Sequence, residues 1–332
     1  MRGFLPDYEA VSARSLDEAL RLLALPKDPA RGRYVPLAGG TDLMVLMAVG
    51  KLPAGRYLDI GSVPELRGIL VHEDRIELGA LTTYSEVRAH PVLAAEFPML
   101  AQAAAESGAH AIQNRGTLGG NIANASPAAD SPPALLAYGA ELELVCSTGS
   151  RRLAYSDFHT GYKQMRLEPG ELIKKVHLRR RPEAARADEL HFYRKVGTRR
   201  AQAISKVCLA AYGRRGGPGG LVELRLALGS VAPVPLRCPA TERALLGPGS
   251  WDERVRAAQA ALAAEIRPID DVRSSAEYRL GVAQRLIRQF AALCAPGQLA
   301  ALCAPGQLAA LCAPEPPAAP RGPGSGTPGV SA

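Results

Sequence analysis

Aromatic residues make up only 5% of this 332-residue chain, with a single tryptophan, and that scarcity bears on one class of partner at once. Proteins that bind nucleic acid stack bases on aromatic rings or carry a helix-turn-helix, zinc or RNA-binding signature. None of these accompanies the net charge of +8, so nucleic acid is not an expected partner. The basic residues bunch instead in HLRRRPEAARADELHFYRKVGTRR, His177 to Arg200, a stretch suited to an anionic cofactor, an acidic partner subunit or plain solvation. No apolar run approaches the roughly 18 residues of a membrane span. The amino end, MRGFLPDYEAVSARSLDEAL, meets acidic residues before any long apolar region; no secretory signal is expected, and the expected location is the cytoplasm.

Cysteine and histidine are present without metal-ligand spacing. Cys146, Cys208 and Cys238 lie far apart, no pair has C-x-x-C spacing, and the six histidines form no H-x-H or H-x-x-x-H pair, so no metal is expected in this chain. Cys294, Cys303 and Cys312 recur every nine residues within AALCAPGQLAALCAPGQLAALCAPEPP. Pro296, Pro305 and Pro314 interrupt any helix there, and the unit is too short to build a solenoid. Residues 293–332 are therefore expected to be a disordered tail whose cysteines were carried along by duplication. Within it GPGSGTPG satisfies G-x-G-x-x-G, but no strand precedes it and no helix follows, so the match carries no meaning.

What is present reads as an ordinary globular composition, 47% apolar and 22% charged, long enough for two or three domains of about 100 to 200 residues. Ser15 with Glu18 forms a capping box, and Leu16, Ala19, Leu20 and Leu23 follow at helical spacing. RYVPLAGG is a strand running into glycine, and TDLMVLMAVG a helix with a Thr41 cap and a Gly50 stop. RYLDIG and RIELGALT read as strands, and FPMLAQAAAESGA as a helix stopped near Gly108. Asp130 is placed to cap a helix carrying Pro132 and Pro133 in its first turn, and AELELVC and ELIKKVHL are strands. From about residue 186 the strands lengthen: LHFYRKV, AISKVCLAAYG and LVELRLALGSV, the last two joined by the hairpin composition RRGGPGG. Helices around Trp251 to Ala264 and Ser274 to Leu293 then cover one side of that sheet. The expected class is α+β, divided as 1–55, 56–180 and 186–292, with the tail at 293–332.

Two glycine turns stand out. One is PLAGGTDL, made of Pro36, Leu37, Ala38, Gly39, Gly40, Thr41, Asp42 and Leu43; the other lies in IQNRGTLGGNIANASPAADSPPAL, Ile112 to Leu135. Neither carries the lysine of a nucleoside-triphosphate loop. Both can aim backbone amides at one anion with no side chain in the way. Thr117, Asn121 and Ser126 add neutral hydrogen bonds, while Asp42 and Asp130 repel phosphate but accept from ribose or ribityl hydroxyls. The residues alone therefore point to a diphosphate ligand; each turn taken singly reads equally as a tight turn needing positive φ.

Those turns, with YLDI, FHTGYKQ, FYRKVGTRRAQAISKV and LRLALGSVAPVPLRC in that order, resemble the FAD-binding subunit of the molybdenum hydroxylase family. That family includes the flavoprotein subunits of xanthine dehydrogenase-like and carbon monoxide dehydrogenase-like complexes. The similarity runs from about Tyr8 to Phe290. It implies an FAD-binding fold of the vanillyl-alcohol oxidase (PCMH) type in two subdomains, followed by a C-terminal α+β domain of the CO dehydrogenase flavoprotein type. It also implies that the turn ending at Leu43 and the turn Thr117, Leu118, Gly119, Gly120, Asn121 grip the FAD diphosphate. Asp130 would reach its sugar-like part, Tyr193 would lie near the isoalloxazine ring and Lys195 near the cofactor. Tyr193 reads equally as a buried strand aromatic, and Arg115, Arg199 and Arg200 as surface or subunit-contact residues.

By the same resemblance, substrate is hydroxylated at a molybdenum cofactor on a large subunit. Electrons then cross two iron–sulfur clusters on a small subunit to this FAD and leave to NAD or another acceptor. No catalytic side chain is expected here, because the flavin carries the chemistry. Benzoyl-CoA reductase-type relatives add a cluster to this subunit, for which this chain has no clustered cysteines. A self-contained flavin reductase or oxidase of the same fold, such as the cell-wall precursor reductase type, is the alternative enzyme; a basic scaffold or adaptor is the non-enzyme one. FHTG and SVAPVPLRC lean towards xanthine dehydrogenase-like members. The substrate pocket lies on another subunit, so this chain does not encode its identity.

Overall fold

The computed structural model describes residues 7–199, 202–216 and 220–295. Its first sheet is parallel, in the order Tyr8–Ser12, Gly55–Asp59, Tyr34–Leu37. Helix Leu16–Leu23 buries Ala19, Leu20 and Leu23. Its cap is half of the expected box: the Ser15 hydroxyl accepts from the Glu18 amide, but the Glu18 carboxylate accepts from the Arg14 amide at 2.7 Å and not from Ser15. Strand Gly55–Asp59 is the centre of this sheet, which therefore extends past residue 55, the boundary read from the sequence. A parallel strand pairs with distant segments, and nothing local in RYLDIG reveals which sheet it joins.

The second sheet is antiparallel, in the order Ile69–Val71, Arg75–Gly79, Leu172–Arg179, Glu141–Cys146, Gly149–Ala154. Alternate residues Ile76, Leu78, Leu142, Leu144, Val176 and Leu178 are fully buried on one face. They pack with residues of helices Tyr84–Ala89, Pro91–Glu96, Pro98–Glu106, Leu118–Ala123 and Ser131–Tyr138. The first two of these helices carry too few residues to show a period in sequence, although Thr83 and Glu86 form a complete capping box.

The third sheet runs Glu189–Val196, Val207–Arg215, Leu221–Gly229, Leu236–Arg237, all antiparallel. Helices Pro239–Leu246, Trp251–Glu265 and Ala276–Cys294 contribute to the core on one face, around Leu209, Leu226, Leu228, Leu262 and Phe290. The opposite face is covered too: Tyr193, Cys208, Ala210, Tyr212 and Ala227 join the core that holds helix Ser131–Tyr138. Helices thus cover both faces, not one, and this is why Val207 to Gly213 is buried at every position and reads as an unbroken apolar run. The last helix ends at Cys294, which is 2% exposed. The tail expected from residue 293 therefore begins inside a core helix; residues 296–332, and with them the rest of that expectation, lie outside the described residues.

The outer face of the second sheet is a ladder of charges. Glu77 accepts from Lys175 at 2.6 Å and from Arg75 at 2.8 Å, while Glu143 meets His177 at 3.1 Å and Lys174 at 2.9 Å. The Lys175 ammonium, with help from Arg75, holds the Glu77 carboxyl down at about 2, although its side chain is only 8% exposed. A carboxyl whose folded value lies below its unfolded one stabilises the fold at any pH above the unfolded value and loses that contribution as pH falls through the folded one. Glu77→Gln is expected to lower the unfolding free energy on the order of 2 to 3 kcal/mol at pH 7. In urea titrations the difference from wild type closes between about pH 4.5 and 2; a difference that persists at low pH would exclude this origin.

Candidate functional site

The two glycine turns, some seventy residues apart in sequence, are in contact. A Cβ placed on Gly39 would lie 1.8 Å from the carbonyl oxygen of Arg115, and one on Gly120 would lie 3.8 Å from the Ala38 Cβ. The Arg115 guanidinium reaches back to the Gly39 carbonyl at 3.4 Å. Gly119 is bare for a similar reason, since its Cβ would lie 2.6 Å from that of Ala80 and 2.7 Å from the Ala80 oxygen. Gly40 differs: it adopts φ +73° with the nearest atom to its would-be Cβ at 3.4 Å, so there the constraint is conformation. Gly39 and Gly119 therefore lack side chains so that backbone can approach backbone.

The turns also differ in what their amides do. Residues 118–123 form a short helix. The Leu118 amide donates to Thr82, that of Gly119 to Ala80, that of Gly120 to the Thr117 hydroxyl, and that of Asn121 to the Thr117 carbonyl. These four are consumed inside the protein, contrary to the expectation that both turns offer amides to an anion. In the first turn the amides of Gly39, Gly40 and Thr41 have no acceptor among the described residues. Pro36 and Leu37 end the strand Tyr34–Leu37, and Leu43 opens a helix, Leu43–Ala48, none of whose residues is buried. Thr41 does not cap that helix. Asp42 occupies the position, but with its own backbone at φ −94°, ψ −47° its carboxylate makes no cap bond and has no partner among the described residues. The Asn121 Oδ1 accepts from Ser131 at 2.6 Å, leaving its amide nitrogen unpaired; the Ser126 hydroxyl accepts from the Ala128 amide.

Asp130, Tyr193 and Lys195 come together, but at a joint between the helical layer and the third sheet. Lys195 Nζ donates to Asp130 Oδ2 at 2.6 Å and to the Glu106 carbonyl at 2.9 Å, and Ser205 donates to Asp130 Oδ1 at 2.7 Å. The Tyr193 hydroxyl donates to the Asp130 carbonyl at 3.1 Å. Burial pushes the Asp130 carboxyl up, with the Lys195 ammonium opposing it, and pushes the Tyr193 phenol well up. Asp130 makes no side-chain cap to helix Ser131–Tyr138, because its oxygens already face Lys195 and Ser205. Tyr193 lies in strand Glu189–Val196, 5% exposed, with its hydroxyl satisfied. Ser205 and the Glu106 carbonyl carry no sequence signal that marks them as partners. The basic stretch is likewise engaged within the chain, with Arg180 on Glu96 and Arg181 on Glu223.

Residues 6–180 match the family described as the FAD binding domain in molybdopterin dehydrogenase, and residues 192–293 match the CO dehydrogenase flavoprotein C-terminal domain. The chain is 31% identical over 291 residues to the xanthine dehydrogenase FAD-binding subunit of Escherichia coli O157:H7, covering 86% of this chain and 97% of that one. It is 30% identical over 285 residues to the nicotine 6-hydroxylase medium subunit of Paenarthrobacter nicotinovorans, covering 86% and 96%. The solved carbon monoxide dehydrogenase of Hydrogenophaga pseudoflava that lacks the Mo-pyranopterin moiety of its cofactor is similar with a TM-score of 0.80. That match is at 30% identity and covers 88% of this chain and 100% of that one.

The joint makes a definite prediction about stability. Lys195 and Asp130 have side chains only 6% and 12% exposed, so Asp130→Ala strands a buried ammonium, at a cost of about 3 to 5 kcal/mol. Replacing both, as Asp130→Ala with Lys195→Met, is expected to cost less than the single change. Urea unfolding of the flavin-free protein reads this directly; a single variant as stable as wild type would show that the pair contributes nothing.

Proposed function

The chain belongs to the FAD-binding medium subunits of the molybdenum hydroxylase family, and from that premise we propose that it receives electrons from iron–sulfur clusters of a small subunit and passes them to NAD or another acceptor. In this reading a large subunit bearing the molybdenum cofactor oxidises the organic substrate. The observation that supports a flavin site in this chain is the run of three amides at Gly39, Gly40 and Thr41, without acceptors among the described residues and seated against the Arg115 to Gly120 turn. Consecutive backbone donors of this kind suit a diphosphate, so the residues present fit FAD.

These three amides would hold the diphosphate, and the Asn121 side-chain nitrogen, without a partner among the described residues, is a further donor on the second turn. Asp42, whose carboxylate is unpartnered, accepts from a ribose or ribityl hydroxyl. Leu118, Gly119 and Gly120 act by packing, fixing the wall on which the first turn rests. Asp130 and Lys195 act as positioning residues, because their charges are spent on each other and on Ser205 and Glu106. Bound FAD supplies the redox centre, and the chain supplies its orientation and electrostatics.

The purified chain is expected to bind FAD yet oxidise neither purines nor aldehydes alone. Flavin bleaching on substrate addition is expected only when its partner subunits are co-expressed, and turnover by the lone chain would overturn this assignment. Gly40→Val, at a residue where a Cβ would meet only ordinary contacts with the Met44 and Leu37 side chains but φ is +73°, is expected to cut flavin content per folded molecule by about tenfold or more, read from the ratio of visible to ultraviolet absorbance. Full flavin occupancy in that variant would remove the first turn from the site.

A further inference from the structure

A second polar cavity lies away from the glycine turns. It has a volume of about 260 Å³ and opens where strand Leu172–Arg179, the short helix Glu183–Arg186 and the third sheet meet. Five guanidinium groups line it, those of Arg179, Arg180, Arg181, Arg186 and Arg225. Facing them are the carboxylates of Glu96 and Glu189 on the wall, with Glu223 bonded to Arg181 and Arg225. With Arg214, which leans on Glu223 at 3.4 Å, six guanidinium groups meet three carboxylates, so positive charge is in excess by three.

Four of the arginines, Arg180, Arg181, Arg186 and Arg225, are held in place, while Arg179 is exposed. Glu96 takes two bonds from Arg180, at 2.9 and 2.7 Å, and one contact from Arg186 at 3.0 Å. Glu223 accepts from Arg181 Nη2 at 2.7 and 2.8 Å and from Arg225 Nη2 at 2.9 Å, while Arg181 Nε lies 3.4 Å from Glu189. The guanidinium of Arg181 stands 5.3 Å from the Tyr212 ring centre and that of Arg225 5.8 Å. This leaves donors over. Among the described residues Arg186 Nε, inaccessible to solvent, has no partner, and neither Arg186 Nη2 nor Arg181 Nη1 has an acceptor.

We propose that this cavity is a binding site for a phosphate-class dianion, either inorganic phosphate or the terminal phosphate of a small ester. Pre-oriented guanidinium forks match the tetrahedral oxygens of phosphate, and a group bearing close to two negative charges near neutral pH offsets most of the positive excess. None of its lining residues belongs to either glycine turn, so the site stands or falls independently of flavin binding.

The test is calorimetric titration of the full chain with inorganic phosphate and, separately, with adenosine monophosphate, in chloride buffer at constant ionic strength. Saturable binding is expected, weakened about tenfold or more in Arg186→Gln and unchanged in Gly40→Val. Tighter binding of the nucleotide assigns the site to an esterified phosphate, and equal binding to the free anion; either sustains the site. Heat no larger than that of chloride overturns it, as does unchanged affinity in Arg186→Gln when circular dichroism shows that variant folded. Loss of binding in Gly40→Val would place the anion at the glycine turn and overturn it as well.

Discussion

The approach of Gly39 to the carbonyl of Arg115 is the constraint on which the rest of the site depends. No other residue type fits at Gly39, because any side chain would begin inside the Arg115 peptide group. The contact joins the edge of the parallel sheet to the turn before helix Leu118–Ala123. That turn is itself locked to the second sheet, through the Gly119 amide on the Ala80 carbonyl and the absence of a Cβ between them. Backbone contact is thereby added to the side-chain core that the two sheets share, and the first turn is fixed in place with three donors unspent among the described residues. Rigidity and unused donors are what an anion site needs, since little ordering remains to be done when the ligand arrives.

The second junction is polar and answers a different difficulty. Helix Ser131–Tyr138 is buried at every residue, so it has no solvated face, and its neighbours on the third sheet press Tyr193, Cys208 and Tyr212 against it. Apolar packing of that kind is tolerant of small slides. The Asp130–Lys195 pair, with Ser205, Glu106 and the Tyr193 hydroxyl converging on it, has one satisfied geometry. Desolvating the two charges is costly, which limits any net gain in stability; what the arrangement adds is a fixed orientation of the third sheet against the helical layer.

Much of this was legible in the sequence, in proportion to how local the cause was. The α+β class, the long third-domain strands and the double-proline start at Pro132 and Pro133 follow from periodicity and from residues acting on their own backbone. The two turns were visible as glycine pairs, and their order among other motifs identified the family. What could not be read is who touches whom. Gly39 and Gly119 are bare for packing, yet a glycine needed for packing and one needed for a ligand look alike in a string. Asp130 sits before a helix with all the marks of a cap, but a lysine sixty-five residues later outcompetes the helix amides for its oxygens. The central strand Gly55–Asp59 escaped assignment to its sheet because parallel partners are distant in sequence.

The last helix holds a consequence for the nine-residue repeat. Its first copy, Ala291 to Cys294, is the end of a core helix whose Ala291 and Cys294 are packed to 1% and 2% exposure. The second and third copies repeat the same four letters at Ala300 to Cys303 and Ala309 to Cys312. By composition, then, three segments are equally qualified for one groove. The tie is broken one residue earlier: Phe290, fully buried and 6.0 Å from the Phe192 ring, precedes the first copy, whereas Leu299 and Leu308 precede the others. One buried aromatic ring outside the repeat thus distinguishes the first copy, the one that ends the last described helix, in an otherwise degenerate sequence.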